Sequence, residues 1–377
     1  MRKGRMANLE LLRMIAMMMV VTIHTCNHGG LVDLAQKGTL SYYIVWTLYG
    51  LSFVAINVYI LISGYFLVKS SFSSWRLVKM EMQILFYSMG ILALFWIFGN
   101  VDKDMKYLVY CLTPVASDFY WFATMYVGMY LLSPILNTFV RAITKRQFQC
   151  MLVLLFVLLS GWTNVFYYTS GLNIAEGASI AWFVAIYLFG AYIRMHYTPD
   201  GRAGKWFLIG MGVMVMIPLS RFIIEFLIST QWLGTRFLED LLWGYSISYH
   251  YNSMFSILGA AGLFVAFLNL RLKDGIGTKH INIAASTSFA VYLIHDHYYL
   301  RQTIWGRINP WAWLDDWYLL PAIIATVLAI YAICMIIELI RHFLFRPVEL
   351  WVKPYCDKFD EKLRKIWHGN KDADVMK

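Results

Sequence analysis

The chain of 377 residues is 60% hydrophobic and only 14% charged, with a formal net charge of +10. Soluble domains carry about 25% charged residues, so this chain has too few charges to cover the polar surface of a soluble protein. A multi-pass membrane protein remains. In a membrane protein the positions of Lys and Arg indicate which loops are cytoplasmic, because cytoplasmic loops are enriched in both residues.

Ten apolar segments are predicted to cross the membrane as helices, because a span needs about 20 mainly apolar residues. In chain order they cover residues 9–27, 43–68, 82–99, 119–136, 149–167, 179–196, 206–228, 253–270, 281–299 and 318–344. A closed barrel, the other architecture that satisfies the backbone in lipid, needs alternating apolar and polar residues, and Met151–Leu159 does not alternate. We therefore predict an all-α fold, with a transmembrane domain over 1–350 and a charged cytoplasmic tail over 351–377.

The distribution of basic residues predicts that both termini are cytoplasmic. With the N-terminus inside, 24 of the 32 Lys and Arg residues fall in inner segments and six fall in outer segments. The outer residues are Lys37, Lys103, Lys106, Arg236, Arg301 and Arg307. Arg13 and Arg221 remain within spans, and Arg221 is predicted to pair with Glu225 across one helical turn. No cleavable signal peptide is evident, since Arg13 interrupts the first apolar segment, so we predict a multi-pass protein of the cell membrane.

The first span carries ionisable side chains that share one helix face. His24 follows Arg13 by eleven positions, which is three helical turns plus about 20° and about 16 Å along the axis. Glu10 lies on nearly the same face and is predicted to pair with Arg13. Ionisable residues within a span are costly and indicate a functional site by default. A structural Glu10–Arg13 pair with a packed His24 is the alternative.

The side chains of His24 and Arg13 suit different parts of an acyl transfer. Histidine accepts protons near neutral pH, so His24 can deprotonate an alcohol as it attacks an acyl group, or carry the acyl group for a time. Arginine stays charged, so Arg13 can bind phosphate or polarise a carbonyl oxygen. With the N-terminus inside, Arg13 lies nearer the cytosol. That order suits a cytosolic donor and an acceptor beyond the membrane.

The first span, NLELLRMIAMMMVVTIH, resembles the opening of the acyltransferase-3 family of integral membrane acyltransferases, whose Arg-x10-His signature is present as Arg13 and His24. Further similar segments follow in the expected order, so the resemblance covers roughly residues 8–345. They are Ser63-Gly64-Tyr65-Phe66, Arg76-Leu77-Val78-Lys79, Tyr120-Trp121-Phe122, Met129-Tyr130-Leu131-Leu132-Ser133-Pro134 and Ser288-Phe289-Ala290-Val291-Tyr292-Leu293-Ile294-His295. Many members have a second arginine where this chain has Lys79, which keeps the charge but loses planar bidentate binding.

The resemblance implies transfer of an acyl group, usually acetyl, from a coenzyme A thioester to a hydroxyl of an envelope or exported glycan. By matching position, His24 is the general base or transient acyl carrier, and Arg13 orients the thioester or its phosphate-bearing arm. Arg76 and Lys79 are expected to hold donor phosphates, or to act only as positive-inside anchors. The residues expected at the cavity, with structural packing as the alternative, are His295, Trp121 and Glu10.

The expected reactants are acetyl-CoA or another acyl-CoA, as donor substrate, and a glycan or lipid-linked sugar. The lipid bilayer and glycan-assembly machinery are the other expected partners, with no nucleic acid and no permanently bound cofactor. No metal site is predicted, because His295-Asp296-His297 lacks further ligands at a persuasive spacing.

Two other functions fit the same residues. A transporter or flippase of a lipid-linked sugar could use the intramembrane Arg and His to bind an anionic head group or relay protons, although the sequence shows no internal repeat. A non-catalytic partner in glycan assembly is disfavoured, because buried charge without a task is costly.

Overall fold

The computed structural model describes residues 6–99, 101–166, 172, 174–230 and 248–368, and within these ranges the chain is helical and contains no strand. The α-helices of four or more residues are α1 (Ala7–Asn27), α2 (Leu31–Leu34), α3 (Leu40–Ser52), α4 (Val54–Leu67), α5 (Ser74–Phe98), α6 (Met105–Leu112), α7 (Trp121–Ala142), α8 (Lys145–Phe156), α9 (Ile180–His196), α10 (Ala203–Ser229), α11 (Met254–Asn269), α12 (Ile276–His295), α13 (Tyr298–Ile308) and α14 (Leu319–His368). A π-helical stretch, Val157–Trp162, continues α8 toward Val165. The predicted all-α class is confirmed.

Seven helical segments in the described ranges are long and apolar enough to cross a membrane. They are Ala7–Asn27, Leu40–Leu67, Ser74–Phe98, Trp121–Ala142, Lys145–Val165, Ala203–Ser229 and Leu319–Ile366. Helices α9 and α11 are apolar but have only 17 and 16 residues, and α12, with 20 residues, is not among the seven. Each of the ten predicted spans overlaps one of these helices, whereas the number of crossings and the orientation stay predictions. Arg236 and the ranges 1–5 and 369–377, which entered the topology prediction, lie outside the described residues.

Polar side chains cap the helices where the chain leaves its apolar segments. The hydroxyl of Thr39 accepts from the backbone N–H of Tyr42 at the start of α3, and Ser179 does the same at the start of α9. Thr144 and Gln147 form a reciprocal capping box at α8. These contacts satisfy backbone donors that a helix start leaves without a partner, so they define where each helix begins.

Helix α1 lies at the centre of the bundle and packs against α3, α4, α11, α12 and α14. Its first turn is beside the end of α11, because the Asn8 side-chain amide donates to the carbonyls of Phe267 (2.8 Å) and Leu270 (3.1 Å). Its last turn is beside the end of α12, where His24 contacts His295. Helices α1 and α12 therefore run in the same direction, and both end at the face predicted to be external.

Glycines allow two pairs of helices to touch at the backbone. A Cβ at Gly64 of α4 would lie 2.1 Å from the carbonyl oxygen of Tyr187 in α9. A Cβ at Gly262 of α11 would lie 2.6 Å from the Cα of Gly210 in α10. Small residues permit this approach in membrane helices, where dispersion contacts and weak polar contacts drive association.

Helix α14 is longer than a membrane span. Its 50 residues extend about 75 Å at 1.5 Å per residue, whereas the hydrocarbon core of a bilayer is about 30 Å thick. Its distal part lies against the start of α5, where both Asp360 oxygens accept from the backbone N–H of Ser74 (2.9 and 3.1 Å). The helix crosses the predicted 350/351 boundary without a break, while the division into domain and tail stays a prediction.

The close crossing of α10 and α11 predicts that alanine substitutions at two glycines of α10 change the stability by different amounts. Gly210→Ala places a methyl group 2.8 Å from the backbone nitrogen of Leu263, so we expect a loss of about 1–3 kcal/mol from overpacking. Gly212→Ala is the matched control, because its added Cβ meets no atom within 4 Å. Thermal unfolding in detergent measures both, and equal melting temperatures for the two variants would contradict the close crossing.

Candidate active site

A cavity of about 510 Å³ lies between α1, α4, α5, α7, α12 and α14. Arg13 and His24 both line it, so the face of α1 on which they were predicted to lie forms a wall of this cavity. Ser63 of α4 also lines it, and the neighbouring Gly64 allows the close approach of α4 to α9. The segment of α4 that resembles the family motif therefore shapes the cavity.

The end of the cavity near the start of α5 is rich in basic side chains. Arg76 and Lys79 of α5 line it, together with Arg341 and His342 of α14. Arg76 is exposed and donates to the hydroxyl of Ser70 (3.0 Å). The structure thus places both predicted donor-binding residues at the cavity, and their role there stays a prediction.

Carboxylates partner two of these basic groups. Arg341 donates to both oxygens of Glu338 (2.8 and 2.7 Å), in a pair that is almost fully buried. Lys79 binds Glu349 at 2.7 Å. Arg76, which donates to a neutral hydroxyl, is therefore better placed than Lys79 and Arg341 to offer its charge to an incoming anion.

Arg13 and Glu10 form the predicted ion pair, with 2.7 Å between Nη1 and Oε2. The Arg13 side chain is 29% exposed and that of Glu10 only 8%. Tyr59 of α4 also donates its hydroxyl to the Arg13 carbonyl (3.0 Å). Glu10 was expected at the cavity but, unlike Arg13, is not among the residues that line it. Glu10 instead lies behind Arg13 and holds the guanidinium through the ion pair.

His24 has a second histidine behind it. Its Nδ1 lies 2.8 Å from Nε2 of His295, and Nδ1 of His295 in turn contacts the carbonyl oxygen of Val291. His295 is completely buried and is not among the cavity-lining residues. It was expected to line the cavity and instead supports the ring of His24 from behind.

Several polar side chains surround the end of α1 that carries His24. Oδ1 of Asp296 lies 3.7 Å from Nδ1 of His24, 3.7 Å from Nε2 of His28 and 3.2 Å from Nη1 of Arg301. Burial lowers the pKa of His28 to about 4, against the opposing effect of Asp296, so His28 is neutral at pH 7.

Three ligand-type side chains at this end come close enough to hold a metal ion. The ligand atoms of His24, His28 and Asp296 lie within 4.8 Å of one another. The carboxylate, however, already accepts from the guanidinium of Arg301, and a cation would have to compete with that charge. We therefore interpret His28 and Asp296 as residues that support His24, and we assign no metal ion to the three side chains.

Aromatic rings form another wall of the cavity. Trp121 stacks on Tyr251 with centroids 5.5 Å apart and 25° between the rings. Its neighbour Phe122 lines the cavity as well, while the hydroxyl of buried Tyr120 donates to the carbonyl of Leu293 (2.9 Å). Trp121 therefore lies at the cavity as predicted, held by packing to other rings.

Several site residues escaped the sequence analysis although a signal was present. His28 follows His24 by one helical turn, and Glu338 precedes Arg341 at a pairing distance within a predicted span. Asp296 was considered only as part of His295-Asp296-His297, and its place beside His24 could be recognised only once α12 was known to end beside α1. The Arg221–Glu225 pair was predicted and is confirmed at 3.2 Å, but neither residue lines the cavity.

The family model for an acyltransferase domain matches residues 6–339. The match covers most of the chain, and the protein therefore belongs to the acyltransferase-3 family of membrane acyltransferases. Neither the curated proteins nor the solved structures compared with the chain include a match.

The Glu10–Arg13 pair predicts how the bundle responds to the loss of one charge. Arg13→Gln leaves the Glu10 carboxylate buried without its partner, so we expect a loss of about 2 kcal/mol of stability, since an unpaired buried charge is costly. Glu10→Gln/Arg13→Gln removes both charges and should recover most of the loss. Thermal unfolding measures both, and a double variant less stable than Arg13→Gln would contradict the pairing.

Proposed function

We propose that this protein is a cell-membrane O-acyltransferase that moves an acetyl group from cytosolic acetyl-CoA to a hydroxyl of an envelope or exported glycan. The observation that supports the proposal best is a single cavity lined at once by His24, by Arg13 and by basic residues at the start of α5. A site of this kind can bind the anionic part of a donor with its basic residues and carry out proton transfer at His24.

The basic part of the cavity suits the phosphates of coenzyme A. Charge-assisted contacts from arginine to phosphate are short and strong, and exposed Arg76 can form them without losing a carboxylate partner. Arg13 lies along the same wall and suits the thioester arm. Its guanidinium can orient the donor or polarise the thioester carbonyl, because it stays charged throughout.

His24 then promotes acyl transfer. In direct transfer its ring takes the proton from the acceptor hydroxyl as that oxygen bonds to the thioester carbonyl carbon. The carbon–sulfur bond breaks, and the proton passes to the departing thiolate to give coenzyme A and the ester. In a two-step route the ring nitrogen carries the acyl group before the hydroxyl attacks. Both routes need a ring nitrogen of His24 with a free electron pair.

A transporter or flippase of a lipid-linked sugar is the alternative function. The same Arg13 and His24 could then bind a head group or relay protons. Membership of an acyltransferase family favours transfer over transport. The two functions differ in a measurable way, because a transporter defect removes the whole exported glycan and a transferase defect removes only its esters.

Replacement of His24 is expected to reduce the ester-linked acetate on the glycan. In a deletion strain, His24→Ala at wild-type membrane level should lower ester-linked acetate on the surface glycan by about 10²–10⁴-fold in rate, since acid–base groups contribute on that order. Arg13→Gln in the Glu10→Gln background should also lower it while avoiding an unpaired carboxylate. Acetate release from purified glycan, with total sugar measured in parallel, provides the readout.

The control for that experiment is His280→Ala, because His280 is an exposed histidine on α12 that does not line the cavity. It should retain wild-type acetate. If His24→Ala also retained it in a strain whose deletion abolishes acetylation, the catalytic role of His24 would be wrong. Loss of the whole glycan would instead favour the transporter.

Arg76 predicts a specific defect in donor binding. Arg76→Ala should weaken coenzyme A binding about tenfold, or about 1.4 kcal/mol, because one charged phosphate contact is lost. Lys69→Ala is the matched control, since Lys69 is also exposed near the same face but does not line the cavity. Calorimetry on purified protein measures both, and equal affinities in both variants would leave Arg76 as an anchor only.

A further inference from the structure

Three hydrogen-bonding groups form a chain that ends at His24. The carbonyl of Val291 contacts Nδ1 of His295, and Nε2 of His295 lies 2.8 Å from Nδ1 of His24. His295 is completely buried, and the His24 side chain is 14% exposed. The chain therefore runs from the backbone of α12 to the ring of a residue on α1 that lines the cavity.

The position of each proton follows from the first acceptor. A carbonyl oxygen can only accept, so Nδ1 of His295 carries a hydrogen and donates it to Val291. A neutral imidazole has only one N–H, so Nε2 of His295 is left with a free electron pair. The partner across 2.8 Å, Nδ1 of His24, then has to be the donor. Neutral His24 consequently keeps its free pair on Nε2.

We propose that His295 is a positioning residue that holds His24 in the tautomer with hydrogen on Nδ1, so that Nε2 is the nitrogen that reacts. This inference rests on the proposed acyl transfer for its consequence, although the tautomer itself can be measured without it. Direct transfer uses Nε2 to take the hydroxyl proton, and the two-step route uses it to hold the acyl group. With the other tautomer, Nε2 would carry a hydrogen and could do neither.

Asp296 supports the same arrangement once His24 gains a proton. Its Oδ1 is 3.7 Å from Nδ1 of His24, which is too long for a direct hydrogen bond but close enough for charge attraction. Arg301 pairs with the same oxygen at 3.2 Å, and Nε2 of His28 lies 3.7 Å from it. The imidazolium that forms as the hydroxyl is deprotonated thus has a fixed negative neighbour, an arrangement that favours proton uptake.

Two amide replacements of His295 separate its hydrogen-bonding role from its packing. The amide of glutamine reaches about as far as Nε2 and can accept from His24, whereas that of asparagine reaches only about as far as Nδ1. We expect His295→Gln to keep kcat within about tenfold and His295→Asn to lower it by about 10²–10³-fold, with KM for acetyl-CoA little changed, as for a lost tautomer restraint. A packing defect would lower both alike.

The tautomer is read directly by nitrogen NMR of labelled protein, with His24→Gln used to identify the His24 signals. Hydrogen on Nδ1 of His24 in the wild type, and its loss in His295→Asn, supports the proposal. Hydrogen on Nε2 in the wild type overturns it, as does wild-type kcat in His295→Asn. A wild-type protein that transfers no acyl group contradicts the proposed function instead, and the NMR result still decides the tautomer. If neither variant folds, the wild-type spectrum decides it.

Discussion

Polar side chains inside an apolar bundle must find partners, because burying them alone costs several kcal/mol. Helix α1 carries Glu10, Arg13 and His24 into the middle of this bundle, so its neighbours are arranged around that requirement. Glu10 and Arg13 satisfy each other across one turn. His24 instead needs His295, which is 271 positions away. That contact requires the last turns of α1 and α12 to lie side by side, and it defines one end of the cavity.

The features that the sequence predicted well are those decided within one helix. Long apolar runs predicted ten spans, and each of them overlaps a helical segment of the structure. The Glu10–Arg13 and Arg221–Glu225 pairs follow from the 3.6-residue repeat alone, and both are present. Such interactions need no knowledge of which helices are neighbours, which is why local spacing was sufficient.

The features that the sequence predicted poorly depend on which distant segments of the chain come into contact. His295 was expected at the cavity surface, and only the contact between α1 and α12 places it behind His24. Glu349 and Asp360, in the distal part of α14, contact the start of α5 across some 270 to 286 positions of chain. Charge composition predicted a charged cytoplasmic tail over 351–377, which includes Asp360, because composition contains no information on the surface against which a helix packs.

In the proposed acyl transfer, the rise of α1 between Arg13 and His24 also sets a minimum length for the donor. A donor that is anchored by charge near the start of α5 and reacts at His24 has to reach along the wall on which these two residues lie, for about 16 Å from Arg13 onward. A short activated acyl compound cannot touch both ends at once. In the proposed acyl transfer, the distance between two side chains of one helix would therefore select donors by the length of their arm as well as by their charge.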